Sequence, residues 1–384
     1  MDCLKLKIGI VGMGNMGSDH ARRILAGEVP GLELTGVCDA VESRLAPWKA
    51  RGVAVFTSYP SLLSSGIQAV LIATPHFSHV PFGVSALEAG LHVLVEKPIA
   101  VQKADAEQLV AAHTKPGQVF AAMFNQRTDP LYIKIKQLLD TGELGKIQRI
   151  AWTITDWYRT QAYYNSGGWR ASWAGEGGGV LINQCPHQLD LYQWLFGLPV
   201  RVRAFSQYGR FHDIEVEDSV TAYFEHASGA TAVFITTTGE APGTNRLEIA
   251  GERGKLLAEG GKLHFSRNEI STGEHLRTAK ESFSRPEVWE IDIPVSSRGE
   301  QHVGIMKNFA GACLRAEALI APAAEGIHSV ELANAMLLSS AQDKTLTLPL
   351  QSDDYARWLA EKIAGSRFQP TAPSNEAVTK AKSA

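Results

Sequence analysis

Glu96 and Lys97 interrupt the apolar run GLHVLVEKPIAV. The surrounding pattern reads as a buried strand, and a buried ammonium that loses its hydration needs a partner. Pro98 fixes its own φ and biases Lys97 toward extended backbone, which aims the side chain reproducibly. The bland reading is an ordinary charge at a strand end. A second group stands in GEGGGVLINQCPHQLDLYQWLFG, from Gly175 to Gly197. Three glycines, Gly177–Gly179, break the chain before an amphipathic helix. Asn183 and His187 are four apart and share a helical face, and Asp190 follows His187 by three. A histidine presented this way can accept a proton near neutral pH. The bland reading here is a core or capping histidine.

A third set gives these two a context. GMGNMG spans Gly12, Met13, Gly14, Asn15, Met16 and Gly17 in GxGxxG spacing. It follows an expected strand and opens an expected helix. The first glycine permits the tight turn, the second lets a pyrophosphate approach the backbone, and the third lets helix and strand pack closely. The helix N-terminus then offers unpaired N–H groups to phosphates. Asp39 ends the next strand, placed to bind a ribose 2′-hydroxyl. A carboxylate there repels a 2′-phosphate, so NAD is favoured over NADP, with Arg44 close enough to soften the preference. A methyltransferase would explain the glycines but not the second half of the chain.

The elements that must hold these groups follow from periodicity. Leu6–Gly12, Leu32–Asp39, Ala69–Pro75, Leu91–Pro98 and Gln118–Arg127 read as strands. Helical patterns such as Ser18–Ala26 and Val80–Ala89 separate them, which predicts βαβ units and a parallel sheet. Parallel sheets bind ligands beyond the carboxyl ends of their strands, where Lys97 falls. After Asp129 come a helix over Pro130–Thr141, strands near Ile147–Tyr158, a Trp/Tyr/Gly-rich loop over Tyr163–Gly179 and a long helix over Val180–Phe196. Period-two runs with glycine turns then predict an antiparallel sheet. Helices return at His302–Ala316 and Gly326–Ala341. The expected fold is α/β: a Rossmann unit over residues 1–125, a second α/β unit with a large, mostly antiparallel open sheet over 126–365, and a disordered tail over 366–384.

Bulk properties exclude several classes. The chain of 384 residues carries 37 basic and 40 acidic side chains, a net charge of −3, so no basic excess suits nucleic acid. Hydrophobic residues at 45% and charged residues at 20% suit a soluble enzyme. Cys3, Cys38, Cys185 and Cys313 form no CxxC pair, so neither a disulfide framework nor a zinc site is expected, and a cytoplasmic setting is the simplest context. No metal site is expected among the histidines. The first strand starts near Leu6, which leaves no room for a signal peptide, and no apolar run is long enough to span a membrane.

In these motifs the chain resembles the glucose–fructose oxidoreductase, inositol 2-dehydrogenase and MocA family. The resemblance rests on GIVGMGNMGSDHAR, LIATPHFSHVPFGVSALEAGLHVLVEKPIA, NQR at Asn125–Arg127, the glycine-rich helix segment, VEDSV at Val216–Val220 and EGIHSVELANAMLLSS at Glu325–Ser340. It implies that Lys97 and His187 flank the reacting carbon, with His187 moving the proton and Lys97 polarising the same oxygen. The family commonly has an acid four residues before the histidine; here Asn183 stands there, and Asn cannot exchange a proton. It also implies a homodimer or homotetramer built on the second sheet.

Further candidates surround these. Thr74, Pro75, His76 and His79 follow the third strand and are expected to line the nicotinamide ribose, with Glu96 and Lys97 also expected to contact the cofactor. Arg127 reaches the site or forms an interdomain ion pair. Trp157, Tyr163, Tyr164, Trp169 and Arg170 form an aromatic and basic patch suited to sugar C–H faces and hydroxyl or carboxylate groups. The expected activity is an NAD-dependent dehydrogenase of a sugar, polyol or related ring. A second reading keeps NAD but cleaves glycosides through transient oxidation and elimination. A third, a nucleotide-binding regulator, does not need both Lys97 and His187.

Overall fold

The computed structural model describes residues 4–166 and 168–367. Six strands form the first sheet: β1 (Leu6–Val11), β2 (Leu32–Cys38), β3 (Ala54–Phe56), β4 (Ala69–Ile72), β5 (His92–Val95) and β6 (Phe120–Ala122). Their order is β3-β2-β1-β4-β5-β6, and every pairing is parallel. The sheet is covered on both faces, so its central strands read as continuous apolar runs. Ile8, Ile10, Val70, Leu71, Val93 and Leu94 are fully buried. The strand order reverses between β1 and β4, which opens a crevice beyond their carboxyl ends. Strand β3 escapes the sequence pattern because three residues are too few to show a period.

Nine strands form the second sheet: β7 (Ile147–Ile154), β8 (Arg201–Tyr208), β9 (Glu217–Glu225), β10 (Thr231–Thr237), β11 (Asn245–Gly251), β12 (Gly254–Glu259), β13 (Lys262–Asn268), β14 (Val288–Ile293) and β15 (Leu346–Thr347). Only the β7–β10 pair is parallel; the rest run antiparallel. Inward side chains such as Trp152, Phe224 and Phe234 pack with the helices Pro186–Phe196 and Gly326–Gln342. Phe205, Tyr223 and Val233 alternate onto the other, exposed face, as the period-two pattern requires.

The first core draws on both halves of the chain. Val303, Ile305, Met306 and Phe309 of the helix Gln301–Arg315 pack with β1 and its neighbours. The helix expected over Val180–Phe196 is two pieces, Val180–Asn183 and Pro186–Phe196. Pro186 is the reason: it has no N–H to continue the first helix but suits the first turn of the next. Ser366 and Arg367, expected to begin a tail, are hydrogen-bonded to Glu215; residues 368–384 lie outside the described residues. Cys38, Cys185 and Cys313 are free thiols. No described helix is long and apolar enough to cross a membrane.

Candidate active site

The glycine loop has the shape a dinucleotide needs. Gly12 adopts φ +92°, and a Cβ there would lie 2.6 Å from the Ala73 carbonyl oxygen. A Cβ on Gly17 would lie 1.9 Å from the Gly12 carbonyl oxygen. Around Gly14, by contrast, a Cβ meets nothing within 4 Å. Both packing faces are closed and the middle position stands open, as a pyrophosphate approaching the backbone requires. Asn15 and Met16 are exposed in the first turn of the helix Asn15–Leu25, whose N-terminus has no side-chain cap. Asp39 accepts hydrogen bonds from the Met13 N–H at 2.7 Å and the Val41 N–H at 2.8 Å, with Arg44 at 3.5 Å. Its carboxylate therefore braces the glycine loop from the residue that follows β2. Thr74 Oγ1, at the end of β4, is buried with no partner among the described residues; a ribose hydroxyl would satisfy it. These residues fit NAD.

Beyond the same strand ends, two expected cofactor contacts are spent elsewhere. His79 is buried with Nδ1 2.7 Å from the Pro98 carbonyl and Nε2 2.8 Å from the Thr74 carbonyl. Its ring is a strut between two turns rather than a wall of the ribose site. Glu96 turns inward to His20, at 2.7 Å, and also accepts from the Lys97 N–H. Burial alone would raise its pKa, but the His20 hydrogen bond and the charges of His20, His302 and Lys97 bring it down to about 2. His76 is buried against the carbonyl of Glu176 at 3.2 Å and the edge of Trp169, so it joins the first unit to the glycine-rich loop. Pro75 opens the 3-10 turn that carries it.

Lys97 lies two residues past β5, and the Lys97–Pro98 peptide is cis. Its ammonium donates to the main-chain carbonyl of Asn183 at 2.9 Å. Burial lowers its pKa, opposed by Glu96 and Glu176. His187 is half-buried, and its Nδ1 is buried without a partner among the described residues. Burial and then the Lys97 charge push it well below the ordinary histidine value, so the ring is neutral at pH 7. A neutral imidazole beside a fixed ammonium can take a proton from a hydroxyl whose oxygen the ammonium holds.

Asn183 links this pair to groups from the loop. Its amide Nδ2 donates to Glu176 and, at 3.3 Å, to the Tyr163 hydroxyl. Arg170 donates to the same hydroxyl at 2.8 Å and approaches Glu176 at 3.7 Å. Arg159 and Arg170 stack on the Tyr163 ring, Arg159 also on Trp157 and Arg170 also on Trp169. Trp157 donates to Gln188 at 3.3 Å, one residue past His187. Tyr164 turns away from the patch: it is buried and donates to Thr238 at 2.8 Å.

Arg127 does not reach the site. Its guanidinium, 2% exposed, forks onto Asp190 at 2.8 and 2.6 Å and reaches Glu325 at 2.5 Å. It ties the end of the first sheet to the helix that carries His187. Glu176, Arg159 and Glu217 belong to the site although sequence reasoning did not single them out. Glu217 accepts from the Gly179 and Leu181 N–H groups and so fixes the turn into Asn183. GEGGG carried the only local signal, an acid inside a glycine run. Among the described residues no group of His, Cys, Asp or Glu could hold a metal ion.

A dinucleotide cradle facing a lysine and a histidine defines an oxidoreductase of the Rossmann type. Residues 6–124 match the model of an oxidoreductase family with an NAD-binding Rossmann fold, and residues 132–257 match the Gfo/Idh/MocA C-terminal domain. The chain belongs to the Gfo/Idh/MocA family. It is 32% identical over 203 residues to the inositol 2-dehydrogenase of Salmonella typhimurium, covering 50% of this chain and 55% of that one. The chain thus spans about half the length of that curated relative. It is 27% identical over 272 residues to the scyllo-inositol 2-dehydrogenase (NAD(+)) of Bacillus subtilis, covering 66% and 73%. The WlbA dehydrogenase of Bordetella pertussis, solved with NADH and UDP-GlcNAcA, superimposes with a TM-score of 0.75 at 26% identity, covering 90% of this chain and 100% of that one.

Proposed function

We propose that the protein is an NAD-dependent dehydrogenase that interconverts a CH–OH group and a carbonyl on a sugar or cyclic polyol. One observation carries the reading: the Lys97 ammonium, beyond the carboxyl end of β5, donates to the Asn183 carbonyl four residues before His187, whose pKa its charge helps to lower. Bound NAD supplies the hydride acceptor. His187 removes the hydroxyl proton, and Lys97 stabilises the oxygen as negative charge develops, an effect of several kcal/mol. Gly14, Asp39 and Thr74 hold the cofactor. Trp157, Tyr163 and Trp169 offer ring surface to sugar C–H groups, with Arg159 and Arg170 lying over the rings as cations for hydroxyl or carboxylate groups. Similarity to inositol dehydrogenases and to a dehydrogenase solved with NADH and UDP-GlcNAcA supports a polyhydroxylated ring. Residues 1–125, closed by the helix Gln301–Arg315, serve the cofactor and lend Lys97 to the reacting oxygen, and the rest of 126–365 serves the substrate. The exposed face of the second sheet, with Phe205, Tyr223 and Val233, supports a homo-oligomer. The test is NADH formation from NAD across inositols, free sugars and uronic acids. Turnover of at least one is expected; NAD binding without turnover of any would overturn the reading.

A further inference from the structure

Asn183 stands where a proton-exchanging acid would be useful, and the fold brings a carboxyl to it from seven residues upstream. Glu176 is 1% exposed. One oxygen, Oε1, accepts from the Asn183 amide, and the other accepts from the Ala171 N–H at 2.7 Å. Asn183 Nδ2 is thereby turned toward Glu176 and Tyr163. Its Oδ1 accepts no hydrogen bond among the described residues and is not a buried orphan. It is left free to receive a substrate hydroxyl.

We propose that Glu176 is a positioning residue whose protonation state sets which face of the Asn183 amide meets the substrate. Ionised, Glu176 accepts from Nδ2 and leaves Oδ1 facing the ring, where it accepts from a hydroxyl. Protonated, Glu176 donates to Oδ1, the amide turns over, and Nδ2 faces the ring as a donor to a carbonyl. The only proton transferred is the one Glu176 exchanges with solvent; no other covalent bond is made or broken, and the Nδ2 hydrogen bond to the Tyr163 hydroxyl is given up. An amide cannot exchange a proton, but it can present either polarity, and a neighbouring carboxyl decides which. The inference rests on the dehydrogenase reading for its consequence in turnover.

The surroundings place this change in the working range. Burial raises the Glu176 carboxyl to about 7, against the Ala171 N–H, Arg170, Lys97 and Asn183, which favour its anion. Glu217 and Tyr164 also feel its charge, and His76 meets only its carbonyl. Ionised Glu176 additionally favours the charged form of Lys97.

The test follows the Asn183 side-chain NH2 signal by NMR in protein labelled with ¹⁵N-asparagine, assigned by its loss in Asn183→Asp. The signal is expected to move with an inflection near pH 7 in the wild type and in Glu217→Gln, and to lose it in Glu176→Gln combined with Glu217→Gln. A flat wild-type signal, or an inflection that survives in that double variant, overturns the proposal. This arm needs no substrate, so it stands apart from the dehydrogenase reading. In the NADH assay, with myo-inositol or whichever panel member the wild type oxidises, Glu176→Gln should keep NAD affinity and lose the inflection in kcat. Its kcat should fall roughly tenfold, the value of one net hydrogen bond. Glu176→Gln with Asn183→Asp moves the carboxyl to the other end of the contact and should recover kcat. A double variant no faster than the single one would mean that Glu176 only supports the loop.

Discussion

Replacing Asp190 by Asn keeps the shape of the Arg127 site and removes one charge. In the intact protein the guanidinium has a forked pair with Asp190 and a second acid, Glu325, that is half-exposed. Both Arg127 and Asp190 are almost completely buried. Breaking a buried pair from one side typically costs about 3–5 kcal/mol, because the remaining charge is left uncompensated. Glu325 remains, so the lower end applies, about 3 kcal/mol. At roughly 2–4 °C per kcal/mol for domains of this size, the melting temperature should fall by about 10 °C. Asp190 lies one turn after His187 on the same helix, so kcat should fall while NAD affinity, set by the first sheet, holds. Arg127→Met combined with Asp190→Leu removes both charges and should recover most of the lost stability. Calorimetry on the two variants measures this directly. A melting temperature for Asp190→Asn within about 2 °C of wild type would refute the reasoning.

Three further outcomes are expected. Gly17→Ala should unfold or strongly destabilise the protein, since its Cβ would collide with the Gly12 carbonyl, whereas Gly14→Ala should melt normally and weaken NAD binding; calorimetry and NAD titration separate them. Stability should fall at both ends of the pH range. Glu96, lowered from 4.5 to about 2, contributes stability above 4.5 that is lost as pH falls toward 2, and Glu96→Gln should flatten that limb of a melting-temperature profile. Glu176 and Glu217, each raised from 4.5 to about 7, contribute stability that is full below 4.5 and lost as pH rises through 7, and Glu176→Gln should shrink that limb to Glu217's share. With free sugars, NADH should accumulate in proportion to product; release of an aglycone from glycosides without NADH would favour the elimination chemistry instead.

Local features were legible in the sequence. The glycine loop and the apolar strands depend on neighbours within a few residues and stand where the local pattern put them, whereas Asn183 and His187, expected on one helix, lie on two that are split before Pro186. Lys97 was legible as a directed cation because Pro98 and the strand end lie next to it. What stayed hidden depends on partners far along the chain. From sequence Arg127 reads as a site residue or an interdomain ion pair, and only the positions of Asp190 and Glu325 decide for the ion pair. His79 and Glu96 had the right types for cofactor contacts, but Pro98, Thr74 and His20 absorb their polar atoms. Glu176 was invisible as an acid partner because its meeting with Asn183 depends on how the glycine-rich loop folds back. The helix Gln301–Arg315 carries an ordinary amphipathic pattern, which does not say which of two cores it joins.

The central claim is that Lys97 acts on the reacting oxygen and not on the cofactor. Single-turnover NADH formation by Lys97→Met at saturating NAD tests it most directly. The rate should fall by roughly 10²–10³, the range for removing one donor to a developing oxyanion, with the NAD dissociation constant unchanged. A rate near that of the wild type, or a loss explained by weakened NAD binding, would contradict the account.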